Sequence, residues 1–489
     1  MFLSAINSCC AASGCPLTKC ISLAAPEVVL VVCGLLILLW EAIGKPASRT
    51  IGIAVIGSYL LAALIMWPFV GQTGVHLWED LYIWDRLAVF GKFFFLITGI
   101  LVTWLSLEYE YRLPVARAEF LTLPLFVTAG MLVLCSVNDF ILLFVALELV
   151  TVSFYVLVGF QRNNTVALEA AVKYLIMGAL SSAFLVMGIA YVFGFTGSTQ
   201  FQVIRGYIEA NGISLPLIFG MAMIIVGLGF KVAAVPFHIW APDVYQGAPT
   251  PITAFLSVGS KAAGFFLLIR IFDSPFGSVL LEHHWVSVLF TLSALSLVLG
   301  NLAALPQRNL KRLLAYSGIS HAGFMIAALA SNNSLGHTAL LFYLAVYLIA
   351  SFIAFMVITV VARDSAGESM VQFSGLGQRS PLLAWTFALS LISMAGIPPL
   401  AGFFAKLLVF LAVWQTGHYF LVGVMVVTAT IGLYYYIGVI RYMFWSEPNT
   451  TEPLVIHCST KFLLLILTGL LLVLGLFSQP LLNFAANSF

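Results

Sequence analysis

The sequence predicts an all-α, polytopic membrane protein of about 14 transmembrane helices, and three observations carry that prediction. Hydrophobic residues make up 62% of the 489 and charged residues only 8%, against roughly 25% charged in soluble domains. Mean hydropathy is +1.08. Apolar runs of about 20 residues, the length that crosses a hydrocarbon layer of ~30 Å, recur fourteen times with short connections between them. Each run must be helical, because lipid offers no partner to a free backbone N–H or C=O.

The runs lie at 26–43, 50–69, 86–107, 119–136, 140–160, 167–194, 215–240, 251–272, 285–304, 314–331, 337–362, 382–414, 419–444 and 461–485. An N-terminal segment with spans one to three occupies 1–118, spans four to eight 119–272, spans nine to thirteen 285–444, and the last span 461–489. Cys9, Cys10, Cys15 and Cys20 crowd into the first segment, a spacing open to a small disulfide or metal knot. No basic region precedes an apolar core there, so a cleaved signal peptide is not expected. The net charge of +2 is scattered singly with no basic stripe, which excludes nucleic acid as a partner.

Orientation follows from the basic residues, which favour the cytoplasmic side of short loops. Loops after odd-numbered spans hold Lys45, Arg49, Arg112, Arg117, Arg162, Arg308, Lys311, Arg312, Arg363, Arg379, Arg441 and Lys461, against Lys19, Arg86, Arg205 and Arg270 opposite. Both termini are therefore expected on the outer side.

Five lysines fall inside spans, Lys92, Lys173, Lys231, Lys261 and Lys406, with Glu148 as the clearest mid-span carboxylate. A charge at mid-membrane costs from ~3 to over ~10 kcal/mol and is normally kept for a pathway or a partner. Lys92, six residues into its span, is expected to snorkel its amine to the interface. Lys231 lies fifteen residues beyond Pro216, and Lys261 ten beyond Pro251, so both are expected to be functional.

Two of these lysines stand beside helix breaks. In "GFKVAAVPFHIWAPDVYQGAP", Pro236 has no N–H for the carbonyl of Val232 and pushes against it, leaving acceptors open one residue from Lys231. In "SMAGIPPLAGFFAKLL", Pro398 and Pro399 free the carbonyls of Met394 and Ala395, and Lys406 follows. Interrupted spans in corresponding positions of two halves mark a transport site at a repeat interface. A shift of 169 residues aligns Ala170 with Ala339, Tyr174 with Tyr343, Leu175 with Leu344 and Ser182 with Ser351. That offset covers five spans, an odd number, so spans 4–8 and 9–13 are expected to be inverted five-helix copies with helices 7 and 12 broken.

One carboxylate among four lysines suits proton transfer better than metal-ion transport, because a lysine's proton affinity depends on its hydration and on its distance from a carboxylate. His238, Tyr245, His321, Tyr343 and Tyr347 could add hydrogen-bonding stations, with a purely structural histidine as the alternative for His238 and His321.

The segments "ALELVTVSFYVLVGF", "EAAVKYLIMGALSSAFLVMGIAYVFGFTGS", "GLGFKVAAVPFHIWAPDVYQGAPTPITAFLSVGSK", "RNLKRLLAYSGISHAGF" and "GIPPLAGFFAK" together resemble subunit N of the proton-pumping NADH:quinone oxidoreductases, the respiratory complex I family. The resemblance runs over nearly the whole chain beyond residue 20. It implies fourteen helices with inverted five-helix repeats. It also implies Glu148 as the family's carboxylate, Lys173 as the lysine that communicates with it, Lys231 as the central proton carrier, Lys261 as the linking lysine and Lys406 in the second half-channel. A lysine at 406, where subunit M has glutamate, with no long lateral helix after span fourteen, favours N over M or L.

The same resemblance implies antiporter-like subunit M on one side, small membrane subunits on the other, and a bacterial inner membrane. The chain shows no iron–sulfur cysteine set and no dinucleotide fingerprint. No redox cofactor is expected in it; NADH, FMN, iron–sulfur clusters and quinone are expected in the partner subunits. Two rival readings stay open: a subunit of a sodium/proton antiporter or membrane-bound hydrogenase complex, and an inactive scaffold whose buried charges only pack helices.

Overall fold

The computed structural model describes residues 22–113, 117–364, 367–448 and 452–489; the segment with Cys9, Cys10, Cys15 and Cys20 lies outside them. The described residues form two compact units, one of those up to 232 with 259–285, the other of 233–258 with those from 286 to 487.

The first unit begins with α1 (Ala25–Gly44), α2 (Ser48–Met66), a hairpin of β1 (Val75–Leu77) and β2 (Tyr82–Trp84), α3 (Arg86–Glu108), α4 (Arg117–Cys135), α5 (Phe140–Val158), α6 (Thr165–Thr196), α7 (Phe201–Asn211) and α8 (Leu215–Val232). The second then starts with α9 (Trp240–Gly247) and α10 (Thr250–Phe255). A π-helical turn at Leu256–Ser260 leads back to the first unit for α11 (Lys261–Asp273). The second is completed by α12 (Val279–Ala304), α13 (Leu310–Ala330), α14 (Ser334–Asp364), α15 (Leu376–Arg379), α16 (Pro381–Ala395), α17 (Ala401–Gln415), α18 (Tyr419–Trp445), α19 (Cys458–Leu476) and α20 (Gln479–Ala486).

Thirteen helical stretches among the described residues are long and apolar enough to cross a membrane, and α16 and α17 are shorter apolar helices that together make the expected twelfth span. Local chemistry sets many of the ends. Asp85 caps α3 by accepting from Ala88 N at 2.8 Å, Asp139 caps α5 through Ile141 N at 2.6 Å, and Asn309 caps α13 through Arg312 N at 3.1 Å. That last cap starts α13 four residues before the expected 314, so Lys311 and Arg312, read as loop residues, belong to its first turn. Pro124 sits inside α4, where Thr128 Oγ1 donates to its carbonyl oxygen at 2.8 Å.

Two features lie outside the expected apolar spans. The β1–β2 hairpin pairs Val75 with Trp84 and Leu77 with Tyr82, and its loop residues Trp78, Glu79 and Asp80 take φ of 52, 54 and 66°. The short helix α7 buries Phe201, Ile204 and Ile208 along one face, an amphipathic spacing that no 20-residue apolar window reveals.

Packing sorts the helices by burial. The apolar window within Thr250–Asp273 is entirely buried, whereas only 22% of the α1 window is; α1, α6, α18 and α19 turn side chains such as Leu36, Ile176, Tyr434 and Leu465 outward, apolar surface that suits lipid. In the first unit α6 and α8 cross closely, as small residues allow. A Cβ on Gly188 would stand 2.6 Å from Gly220 O, and one on Gly227 2.8 Å from the Leu185 Cβ. In the second unit α14 packs against α13, α16 and α17.

Candidate functional site

In the first unit, adjacent serines on α6 hold two other helices. Ser181 Oγ donates to Gly227 O on α8 at 2.9 Å, and Ser182 Oγ donates to Glu148 Oε1 on α5 at 2.5 Å. The close α6–α8 crossing thus fixes the end of α8, where Lys231 lies buried. Lys231 Nζ donates to Thr151 Oγ1, whose own hydroxyl donates to Leu147 O at 2.6 Å. Thr151 sits one turn beyond Glu148 on α5. α8 stops one residue later, with Ala233 at φ 56°, a conformation that L-residues rarely adopt.

Lys261 opens α11 directly after the π turn and is 2% exposed. Gly264, one turn on, brings α11 against the end of α8: a Cβ there would meet Val232 Cγ1 at 2.8 Å and Lys231 Cβ at 3.3 Å. Lys231 and Lys261 therefore belong to one helix interface.

In the second unit the break between α16 and α17 is answered by Lys406, whose Nζ donates to Ala395 O at 2.8 Å. The lysine stem lies on Gly396, at φ 87°, where a Cβ would stand 2.8 Å from Lys406 Cδ. The ammonium lies over the Phe324 ring, 5.2 Å from its centroid.

His321, on α13, is buried between two tyrosines. Nδ1 is 2.7 Å from Tyr343 OH and Nε2 3.1 Å from Tyr436 OH. The Tyr347 ring lies 5.0 Å away, and its hydroxyl is 2.9 Å from Ser257 Oγ. On the other side Tyr435 OH donates to Asn301 Oδ1 at 3.1 Å, and Asn301 Nδ2 donates to Ser320 Oγ at 2.6 Å. Two cavities of about 10 Å³ each, room for about one water, flank this set. Tyr343, Tyr347 and Ser393 line one, Asn301, Ser320 and Tyr436 the other, and His321 and Lys406 line both. His321 thus sits in a hydrogen-bonded polar network that includes Lys406 in its walls.

Other residues stand differently from their sequence reading. Lys173 is 44% exposed and pairs with Glu169 Oε1 at 2.7 Å, one turn back on α6. Nine residues at a rise of ~1.5 Å put its Cα ~13 Å along α6 from Ser182, which holds Glu148. His238 lies half-buried in the turn after α8, and Tyr245 is buried against Trp240. Lys92 does not snorkel. It is fully buried, donates to Glu27 Oε1 and Tyr82 OH, and stands 4.6 Å from the Trp84 ring centroid; a carboxylate on α1 removes the need to reach water. Lys311, counted with the loop cations, is buried as well, 3.2 Å from Glu368 Oε2 and 2.9 Å from Ala248 O.

Sequence reasoning did not single out Thr151, Asn301, Tyr435 or Tyr436. Hydroxyls and amides cost less than charges in an apolar span and stand out less; only a helical-wheel pairing of Thr151 with Glu148 offers a signal. Among the described residues no group of three His, Cys, Asp or Glu side chains is gathered as metal ligands.

A family profile described as NADH:quinone oxidoreductase/Mrp antiporter, TM, matches residues 137–432. The NADH-quinone oxidoreductase subunit N of Desulforamulus reducens is 39% identical over 443 residues, covering 89% of this chain and 92% of its own. The NAD(P)H-quinone oxidoreductase subunit 2 of Nostoc is 37% identical, covering 95% and 92%. A chain of respiratory complex I from Thermus thermophilus with bound aureothin has the same fold, with a TM-score of 0.80 and 32% identity over 94% of this chain and 99% of that one. On the profile match and this near full-length identity, the chain belongs to the NADH:quinone oxidoreductase/Mrp antiporter family of membrane subunits, alongside the proteins called NADH-quinone oxidoreductase subunit N.

Proposed function

We propose that this chain is the proton-translocating membrane subunit N of an NADH:quinone oxidoreductase, moving protons while electrons pass from NADH to quinone in other subunits. One observation carries the reading: three lysines are buried beside helix interruptions, Lys231 at the end of α8, Lys261 at the start of α11 and Lys406 in the second turn of α17. Two of them are held by single neutral oxygens, the Thr151 hydroxyl and the Ala395 carbonyl. A neutral oxygen accepts from an ammonium without fixing its charge, whereas a carboxylate pair of the Lys92 kind locks the proton in place.

In this reading Glu148 is the control group of the first unit. Movement of its carboxylate off Ser182 changes the field on Lys231, which bonds Thr151 one turn further along α5, and with it that lysine's affinity for a proton. The proton passes by way of Lys261 towards Lys406 and the outer face, with His321 and its tyrosines as relay stations beside Lys406. His238 is the further station proposed at the turn after α8. Lys173, ion-paired to Glu169, acts on Glu148, and a charge change in the neighbouring subunit reaches it first. These groups titrate as a set.

The inverted repeats at spans 4–8 and 9–13, an inner bacterial membrane with both termini outside, and neighbours of the subunit M and small-subunit kinds complete the proposal. NADH, FMN, iron–sulfur clusters and quinone belong in it to the partner subunits. The test is the reconstituted complex with Lys231→Met: quinone reduction by artificial donors should survive better than proton pumping, and unchanged pumping would refute the role of Lys231. Sodium-dependent transport without NADH would instead point to the antiporter reading.

A further inference from the structure

Tyr155, on α5, buries its hydroxyl without a hydrogen-bond partner among the described residues. The hydroxyl lies against Gly178 of α6, where a Cβ would stand 2.0 Å from it and 2.8 Å from the ring carbon that carries it. The ring packs edge-on against Tyr174, with centroids 5.0 Å apart. A phenylalanine would keep this packing and drop an unpaired polar atom, which is destabilising relative to an apolar group of the same shape. The hydroxyl therefore calls for a partner that the present arrangement does not supply.

Position names that partner. Glu148, Thr151 and Tyr155 fall at i, i+3 and i+7 of α5, one stripe of the helix. Helical side chains lean toward the N-terminus, so Tyr155 reaches back toward Glu148. The facing stripe of α6 runs the other way: Ser182 meets Glu148 Oε1 at 2.5 Å, and Gly178, one turn before it, meets the tyrosine. Four residues at a rise of ~1.5 Å separate the two points by ~6 Å along α6. A shift of ~3 Å, which a change of glutamate rotamer supplies, brings a carboxylate oxygen within hydrogen-bond distance of the tyrosine. Thr151, between them in the stripe, is already engaged, donating to Leu147 O at 2.6 Å and accepting from Lys231.

We propose that Tyr155 is a positioning residue for Glu148: its hydroxyl is the second donor of a carboxylate that alternates between Ser182 and Tyr155. The inference rests on the reading of Glu148 as the control group of the first unit, and it names where the carboxylate goes when it leaves Ser182. An ionised carboxylate only accepts, and a serine or tyrosine hydroxyl donates to it equally well. No proton is transferred; the charge keeps its sign and changes its place, and that change of place is what the lysines feel. The step runs along α6 in the direction of Lys173, five residues past Gly178.

Thermal unfolding and the rate of proton pumping are measured on the purified complex in proteoliposomes, for Tyr155→Phe, Glu148→Gln and the double variant. Tyr155→Phe should melt at or above the wild-type temperature, because it deletes an unpaired buried hydroxyl. It should nonetheless pump about tenfold more slowly, the loss of one hydrogen bond to a charged group. Glu148→Gln should lose pumping, and adding Tyr155→Phe to it should change nothing further. A cryo-EM map of wild type under turnover should show the Glu148 carboxylate at both donors, and a map of Tyr155→Phe only at Ser182. If Tyr155→Phe pumps at the wild-type rate while Glu148→Gln does not, the second position is overturned and the role of Glu148 stands. Wild-type pumping by Glu148→Gln overturns both. If Tyr155→Phe loses only as much pumping as a lowered melting temperature explains, Tyr155 is a packing residue and the proposal fails.

Discussion

Lys406 Nζ donates to the carbonyl oxygen of Ala395 at 2.8 Å, across the gap between α16 and α17. In an unbroken helix that carbonyl would accept from the N–H four residues on, but residue 399 is proline and has none. The same covalent fact that ends α16 supplies the acceptor that lets a buried ammonium stay inside the protein.

Gly396 is the hinge of this arrangement, required by its φ of 87° and by the lysine stem lying on it. Gly396→Ala should cost about 1–3 kcal/mol through backbone strain and push Lys406 off Ala395. Thermal unfolding of the purified complex measures the first effect and proton pumping the second. Gly423→Ala, at a helical position with nothing within 4 Å of an added Cβ, serves as control; equal melting temperatures for the two variants would show that the hinge is not strained.

Thr151→Val removes the hydroxyl that accepts from Lys231 while keeping the shape of the side chain. A hydrogen bond to a charged group contributes ~1.5–3 kcal/mol, so proton transfer through Lys231 should slow about tenfold or more. Thr151→Ser should pump like wild type. Pumping per NADH oxidised in proteoliposomes reads both, and a Val variant as active as the Ser variant removes Thr151 from the path.

Lys92 and Glu27 form a structural pair. Breaking a buried pair from one side costs ~3–5 kcal/mol, because the other charge is left uncompensated. Lys92→Met and Glu27→Gln should each lower the yield and melting temperature of the complex, and the double variant should lose much less than the sum. Additive losses would mean that the two side chains do not compensate each other.

His321 bridges Tyr343 and Tyr436 while lining both small cavities beside Lys406. His321→Leu leaves two buried tyrosine hydroxyls without that partner and interrupts the polar set, so pumping should fall by more than the loss of stability explains. His321→Asn, which can still bond one tyrosine, should fall between. If the Leu variant pumps fully once assembled, the histidine is a packing residue only.

Part of the candidate site is legible in the sequence. The prolines announced which carbonyls would be freed, and Lys406 uses one of the two named, Ala395. The same reasoning placed Lys231 beside Val232, yet its hydrogen bond goes to Thr151, eighty residues earlier on α5, a partner no local rule could name. Lys92 was misread for the same cause: six residues into a span reads as within reach of water, and only the packing of α1 on the first unit shows Glu27 waiting for it. Lys311 falls in a loop by the apolar run that begins at 314; the Asn309 cap extends the helix back to 310 and Lys311 is buried in it.

The split between these outcomes has a physical root. Lipid cannot hydrogen-bond a backbone, so composition and run length alone force helices, and proline's missing N–H dictates locally where those helices must open. Compensation of a buried charge is settled between helices far apart in the chain, by side chains such as Thr151, Glu27 and Ser182 whose types are unremarkable in themselves. Which lysines are locked in ion pairs and which are held by a single neutral oxygen is therefore decided by packing, and it is this distinction that separates Lys92 from Lys231 and Lys406.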